Sequence, residues 1–277
     1  MSHLATLRTW LGPLGRYRPW LFRQDLARGF RTCDTWAPPA WVRWRGWSSP
    51  EERLLDSLDL ANKVVYDVGA HTGAYSLYFS RRVGAGGQVV AFEPQALSFS
   101  KLTRNLRDNA IANVLPICLA LGAADGTRPI YMLPRMFTTA SLAPEARTPF
   151  RRRAGSTRVE RLDGVIAARA LPPPHFIKID VEGLELEVLA GAAVTLARYR
   201  PCLVLEIHGA NRHLKAAQAG RMAEFLLPLG YALTHIESGR RLQPDVAGVA
   251  AGHILAQVPV RTRPAGPVSP PAMLPAR

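Results

Sequence analysis

The chain has 277 residues, 48% of them hydrophobic, which is enough to bury a full core in one domain of about 200 residues with terminal extensions. Its 35 Lys and Arg against 21 Asp and Glu leave a charge of +14, which favours phosphates, nucleic acid or anionic lipid as partners and says nothing about fold. No apolar run reaches ~18 residues, and Arg8, Gly12, Pro13 and Arg16 interrupt any signal-type core, so a cytoplasmic, non-spanning protein is expected.

Three cysteines, Cys33, Cys118 and Cys202, lie far apart with no zinc spacing; Cys118 and Cys202 sit in apolar runs and read as buried free thiols. The first fifty residues differ from the rest. All six tryptophans (Trp10, Trp20, Trp36, Trp41, Trp44, Trp47) fall there, interleaved with arginines. WVRWRGW (Trp41 to Trp47) alternates like a half-buried strand, so the expected arrangement is an extension whose indoles pack on the main domain while the arginines face solvent. Such an arm could also grip an anionic lipid surface, stack nucleic-acid bases or cover a ligand. Residues 51–258 read as the main domain and the Pro-rich stretch 259–277 as a disordered tail.

Within the main domain the elements alternate. Leu54, Leu55, Leu58 and Leu60 predict a helix leading to the apolar strand Val64–Val68, which runs through Gly69 to a helix opening near Gly73 and ending near Gly84. QVVAFEP (Gln88 to Pro94) is a second buried strand, followed by a helix with Phe99, Leu102 and Leu106 at helical spacing. Leu115 to Thr127 is expected to be a third strand ending in a turn. Pro129–Leu133 and Thr138–Leu142 suggest short strands, Pro149–Arg158 a basic loop with Arg151, Arg152 and Arg153, and Arg158–Val165 a strand turning into a helix. Phe176 to Ala192 repeats the design of the opening motif, with Leu184, Val188, Leu189, Ala192 and Leu196 as one buried helical stripe. Pro201–Gly209, Tyr231–Ile236 and His253–Val258 finish a sheet of about seven strands. Apolar strands alternating with amphipathic helices specify a doubly wound α/β sheet, whose ligands bind beyond the carboxyl ends of the strands.

Those strand ends carry Asp67, Glu93, Asp180, Glu206 and His208. Gly69 and Gly73 let a backbone approach a ligand closely, and the helix start offers donors and a positive dipole end. Glu93, twenty residues after Gly73, stands where a nucleotide-binding fold places a carboxylate on ribose hydroxyls, which taken alone fits a nicotinamide dehydrogenase. The turn reads D-x-G-A-x-x-G and not G-x-G-x-x-G, however, and Asp67 suits a cationic ligand such as S-adenosylmethionine better than a pyrophosphate.

In order, DVGAHTGAYS (Asp67 to Ser76), AFEP (Ala91 to Pro94), ALGAADGT (Ala120 to Thr127), VERLDGV, FIKIDVEGLELEVLAGA and LVLEIHG resemble the FkbM-type S-adenosylmethionine-dependent methyltransferases. The resemblance covers about Asn62 to Gly209 and implies a class I, Rossmann-like methyltransferase domain. It implies that Asp67, Gly69, Ala70, His71 and Gly73 hold the methionine end of S-adenosyl-L-methionine, that Glu93 with Pro94 takes the ribose, and that the turn at Ala120 flanks the adenine. Typical members carry asparagine where this chain has His71; both can bond the loop or the cofactor's carboxylate.

Methyl transfer needs an acceptor held in line with the departing sulfur and a base for its proton. His208 is the expected base, because an ordinary imidazole titrates near ~6.5. Asp180 is expected to orient the acceptor or the sulfonium, and Glu182 to assist catalysis or cap the next helix. No run of adjacent carboxylates supports a metal between Asp180 and Glu206, and none is assigned. The implied acceptor is a hydroxyl on a sugar, glycan or secondary metabolite. An RNA methyltransferase would suit the charge and the Arg/Trp arm but lacks an RNA-binding module and an Asn-Pro-Pro-type turn. A non-catalytic scaffold using the arm to bind a membrane or partner predicts loss of the cofactor turn, which the chain retains.

Overall fold

The structure is a computed structural model that describes residues 30, 32, 49–133, 136–141, 152–209, 211–243 and 251–259. Cys33, the Trp/Arg arm with Trp41–Trp47, Leu142–Arg151 and the tail after Pro259 lie outside the described residues.

The elements run α1 Pro50–Ser57, β1 Val64–Val68, α2 Ala74–Val83, β2 Gln88–Phe92, α3 Ala96–Asp108, β3 Val114–Ile117, β4 Ala120–Leu121, β5 Gly126–Leu133, β6 Met136–Ser141, β7 Arg152–Glu160, α4 Leu162–Arg169, β8 Phe176–Ile179, α5 Glu185–Gly191, α6 Ala193–Tyr199, β9 Cys202–Glu206, α7 Arg212–Leu226, β10 Ala232–His235, β11 Arg241–Leu242 and β12 His253–Gln257. Among the described residues the large sheet has eight strands in the order β11-β10-β12-β9-β8-β1-β2-β3. The five from β9 to β3 are parallel, and β12 enters antiparallel between β9 and β10.

The parallel core follows from near-continuous apolar runs, which only a strand covered on both faces can bury. Successive side chains point to opposite faces. Val65, Val89, Phe176 and Val204 pack with Leu77 and Phe79 of α2 on one side, while Tyr66, Phe92, Ile177, Ile179, Leu203 and Leu205 pack with Val188, Leu189 and α7 on the other. Each such side chain contributes about 1.5–3 kcal/mol by leaving water. The register sets Asp67 opposite Ala91 on one neighbour and Lys178 on the other, so the ends of β1, β2 and β8 lie side by side.

The expected sheet of about seven strands is present, with the two-residue β11 added beside β10. Three expectations are corrected. The apolar run Leu115–Thr127 is not one strand: the chain leaves the large sheet after Ile117, and Ala120–Leu121 pairs with β7 in a second sheet of order β4-β7-β5-β6. Part of the predicted basic loop is strand, since Arg152–Glu160 pairs antiparallel with β5, burying Thr157 and Val159 and turning Arg158 outward. The long helix after β8 is two, because a Cβ on Gly191 would lie 2.0 Å from the Gly122 carbonyl oxygen, and the chain breaks at Ala192 where it meets that turn. The predicted stripe Leu184, Val188, Leu189, Ala192 and Leu196 is nonetheless buried.

Candidate active site

Turns and acids meet at the carboxyl ends of β1, β2 and β8. The N–H groups of Gly69 and Ala70 both donate to the Phe92 carbonyl, at 3.0 and 2.9 Å, which ties the turn to the end of β2. Gly69 has φ +85° and an added Cβ would lie 1.9 Å from the Asp180 carbonyl oxygen, so the turn leans directly on β8. His71 is also left-handed, φ +52°, and its N–H donates to Glu93 Oε2 at 2.8 Å; the other carboxylate oxygen accepts from the Gln95 N–H. Gly73 is the N-cap of α2, with φ +91°. Asp67 is fully buried and Ser76 Oγ donates to its Oδ2 at 2.6 Å.

Asp67, Glu93 and Asp180 are 0%, 6% and 6% exposed. Burial drives the Glu93 carboxyl up, the N–H bonds from Gln95 and His71 pull it down, and the charges of Asp67 and Asp180 push it up again, to about 7. Three desolvated carboxylates around a glycine turn make a site that favours cations and can accept from a ribose diol, each oxygen having a second lone pair. The donor set therefore fits S-adenosylmethionine, which carries both a cationic end and a ribose diol.

The predicted set divides in two. Asp67, Gly69, Ala70, His71, Gly73, Glu93 and Asp180 come together, and half-buried Pro94 directly follows Glu93. Ala120 does not join them: its side chain packs with Ile130, Val159 and Leu184 at the root of the small sheet. Cys118, expected to be buried, is exposed because edge-strand alternation carries it outward after Ile117; the partial burial of its sulfur, and after it the charge of Glu93, raise its thiol. Cys202 is half-buried, and burial pushes its thiol up to about 12.

On the acceptor side, His208 stands among four carboxylates. Its Nδ1 lies 2.8 Å from Glu185 Oε1, and its Nε2 is 3.6 Å from Glu182 and Glu206 and 3.7 Å from Asp180. Burial alone would lower the imidazole; the hydrogen bond to Glu185 and the charges of Glu185, Glu206 and Asp180 outweigh it and push it up to about 10. These neighbours favour the charged form of the ring, the opposite of what a general base needs.

Several residues here gave no signal in the sequence. Glu185, fully buried, also accepts from Gln218 Nε2 and from the N–H groups of Val181 and Gly183. The helix after the β8 turn is thus tied by Glu185, and Glu182, at φ +55°, brings its carboxylate to 3.6 Å from His208 Nε2. Lys178 is 1% exposed, pairs with Asp180 Oδ2 at 3.1 Å and lies 4.1 Å from the centre of the Tyr75 ring. Glu206 is shared with a second cluster: His253 Nε2 lies 3.9 Å from it and 3.3 Å from Glu51, which also accepts from the Tyr75 hydroxyl.

Set beside known proteins, the chain matches the sequence model of the methyltransferase FkbM domain over residues 67–233, well over half its length. The chain belongs to this family. As an FkbM-family methyltransferase domain it has the class I α/β fold and S-adenosyl-L-methionine as cofactor. Its relatives include the methyltransferase sdnD of Sordaria araneosa, 29% identical over 47% of this chain and 61% of the relative. The hexuronic acid methyltransferase AglP of Haloferax volcanii is 30% identical over 56% of this chain and 60% of the relative. The 31-O-demethyl-FK506 methyltransferase FkbM of Streptomyces tacrolimicus is 30% identical over 46% and 58%. The chain thus spans about 60% of the length of these relatives. No described helix is long and apolar enough to cross a membrane.

Proposed function

We propose that this FkbM-family domain transfers a methyl group from S-adenosylmethionine to a hydroxyl oxygen of a small-molecule or glycan acceptor. The observation that carries the reading is the convergence of buried Asp67, Glu93 and Asp180 on the glycine turn, with a second acidic cluster one strand further along. The relatives support oxygen as the atom methylated, since one is named for a hexuronic acid and another for a 31-O-demethyl substrate.

When bound, S-adenosylmethionine supplies a methyl group made electrophilic by its sulfonium. Asp180, fixed by Lys178, orients the reacting end, and Glu93 and the turn fix the ribose end, so most of the rate comes from alignment and exclusion of water. The acceptor oxygen gains the methyl group and its proton goes to a carboxylate of the second cluster. His208, clamped by Glu185, positions those carboxylates.

The test is a transfer assay with methyl-labelled S-adenosylmethionine against uronic acids, free sugars, glycans and polyketide hydroxyls, with the product identified by mass. A labelled methyl ether from the wild type, strongly reduced in Asp180→Asn, is expected. Label appearing only on nitrogen, carbon or RNA would overturn the assignment to oxygen.

A further inference from the structure

We propose that Asp180, Glu182 and His208 form a binding site for one first-row divalent metal ion at the acceptor side of the cofactor site. The inference rests on the proposed O-methylation for the ion's role, though not for its binding. One donor atom from each of the three residues lies within 4.8 Å of the others. The separations from His208 Nε2 to Asp180 Oδ1 and Glu182 Oε2, 3.7 and 3.6 Å, are too long for hydrogen bonds. They are separations that an ion about 2.0–2.2 Å from each donor spans.

The independent observation is how His208 is held. Its Nδ1 is locked at 2.8 Å on the fully buried Glu185 carboxylate, which is itself held by Gln218 and two backbone N–H groups. This is the outer-shell arrangement that fixes the ring of a metal-bound histidine and aims its other nitrogen at the ion. Asp180 is anchored in the same way, with Oδ2 on Lys178 and Oδ1 toward His208. One imidazole with two carboxylates suits Mn²⁺ or Zn²⁺ better than an all-oxygen ion such as Ca²⁺. Glu182, 32% exposed, marks the open side, where an acceptor hydroxyl could join the ion and lose its proton to Glu206, 3.6 Å from His208 Nε2.

The experiment is Mn²⁺ titration of the chelator-treated full chain, with no acceptor present, followed by the loss of the free-ion electron paramagnetic resonance signal. Calorimetric S-adenosylmethionine binding of each variant reports whether it is folded. The wild type is expected to hold one Mn²⁺. Glu182→Gln, which leaves the buried pairs intact, should weaken it at least tenfold, as should His208→Ala. Glu185→Gln, acting through the ring, should weaken it about 10–100-fold. His213→Ala, which removes an exposed imidazole on α7, should leave it unchanged. No bound Mn²⁺ in a wild type that still binds S-adenosylmethionine, or equal binding in the Glu182 and His208 variants, would overturn the site. Mn²⁺ bound by a wild type that methylates no hydroxyl would support the site and overturn the proposed reaction instead.

Discussion

Gly69 and Gly230 have almost the same left-handed backbone, φ +85° and +86°, but different surroundings, so replacing each by alanine separates conformational strain from close contact. At Gly230 an added Cβ meets nothing within 4 Å. At Gly69 it would lie 1.9 Å from the Asp180 carbonyl oxygen, 2.9 Å from the carbonyl carbon and 3.4 Å from Val181 Cγ1. Both variants incur the left-handed penalty of about 1–2 kcal/mol, offset in both by about 0.4–1 kcal/mol from the stiffer unfolded chain. Only Gly69→Ala adds overpacking, about 1–3 kcal/mol, because the atoms in the way are backbone and cannot rotate aside. Urea unfolding at constant slope should therefore place Gly69→Ala about 1–3 kcal/mol below Gly230→Ala. The contact also joins the cofactor turn to Asp180, so Gly69→Ala should lose S-adenosylmethionine binding by calorimetry while Gly230→Ala keeps it. Equal stability losses and equal binding would refute the claim that the turn leans on β8.

The position of Glu93 predicts a pH dependence. Its carboxyl is raised from 4.5 to about 7, so the folded chain keeps a proton that the unfolded chain has released, and stability falls as pH rises between those values, by roughly 3 kcal/mol at 1.36 kcal/mol per pH unit. Cofactor affinity should move the opposite way, rising through pH 7 as the carboxylate forms and flattening in Glu93→Gln; affinity constant from pH 6 to 8 in the wild type would contradict this. Glu185→Ala should cost about 3–5 kcal/mol in urea unfolding, because it leaves His208 Nδ1, Gln218 Nε2 and two backbone N–H groups facing an apolar gap. Wild-type stability in that variant would mean water replaces the carboxylate.

The parallel core was legible because β1, β2, β8 and β9 are largely apolar runs, broken inside only by Asp67 in β1 and Lys178 in β8 and ending in an acid or a turn, and local pattern is enough to mark such strands. The second sheet was not, since β7 carries three arginines and is held by pairing with a segment twenty or more residues away, which no local period reports. The corner at Cys118–Leu119 was hidden because buried residues continue on both sides of it while the chain changes sheets. Among site residues, Asp67 and Glu93 showed themselves by spacing from glycines. Lys178 and Glu185 look like ordinary solvent-facing charges; they are buried by partners on other elements. His208 was found by its place at a strand end, but its protonation depends on Glu185 and Asp180, which are neighbours only in the folded chain.

The junction of α5 with the small sheet has a consequence for how the domain can diversify. Gly191 rests against the Gly122 carbonyl, and Arg128 pairs with Glu187 at 2.7 Å, so the helix that carries Glu185 is bolted to the root of that sheet at two points. A substitution at either point is transmitted through one short helix to the clamp on His208, so the root of the small sheet and the acidic cluster can diversify only together.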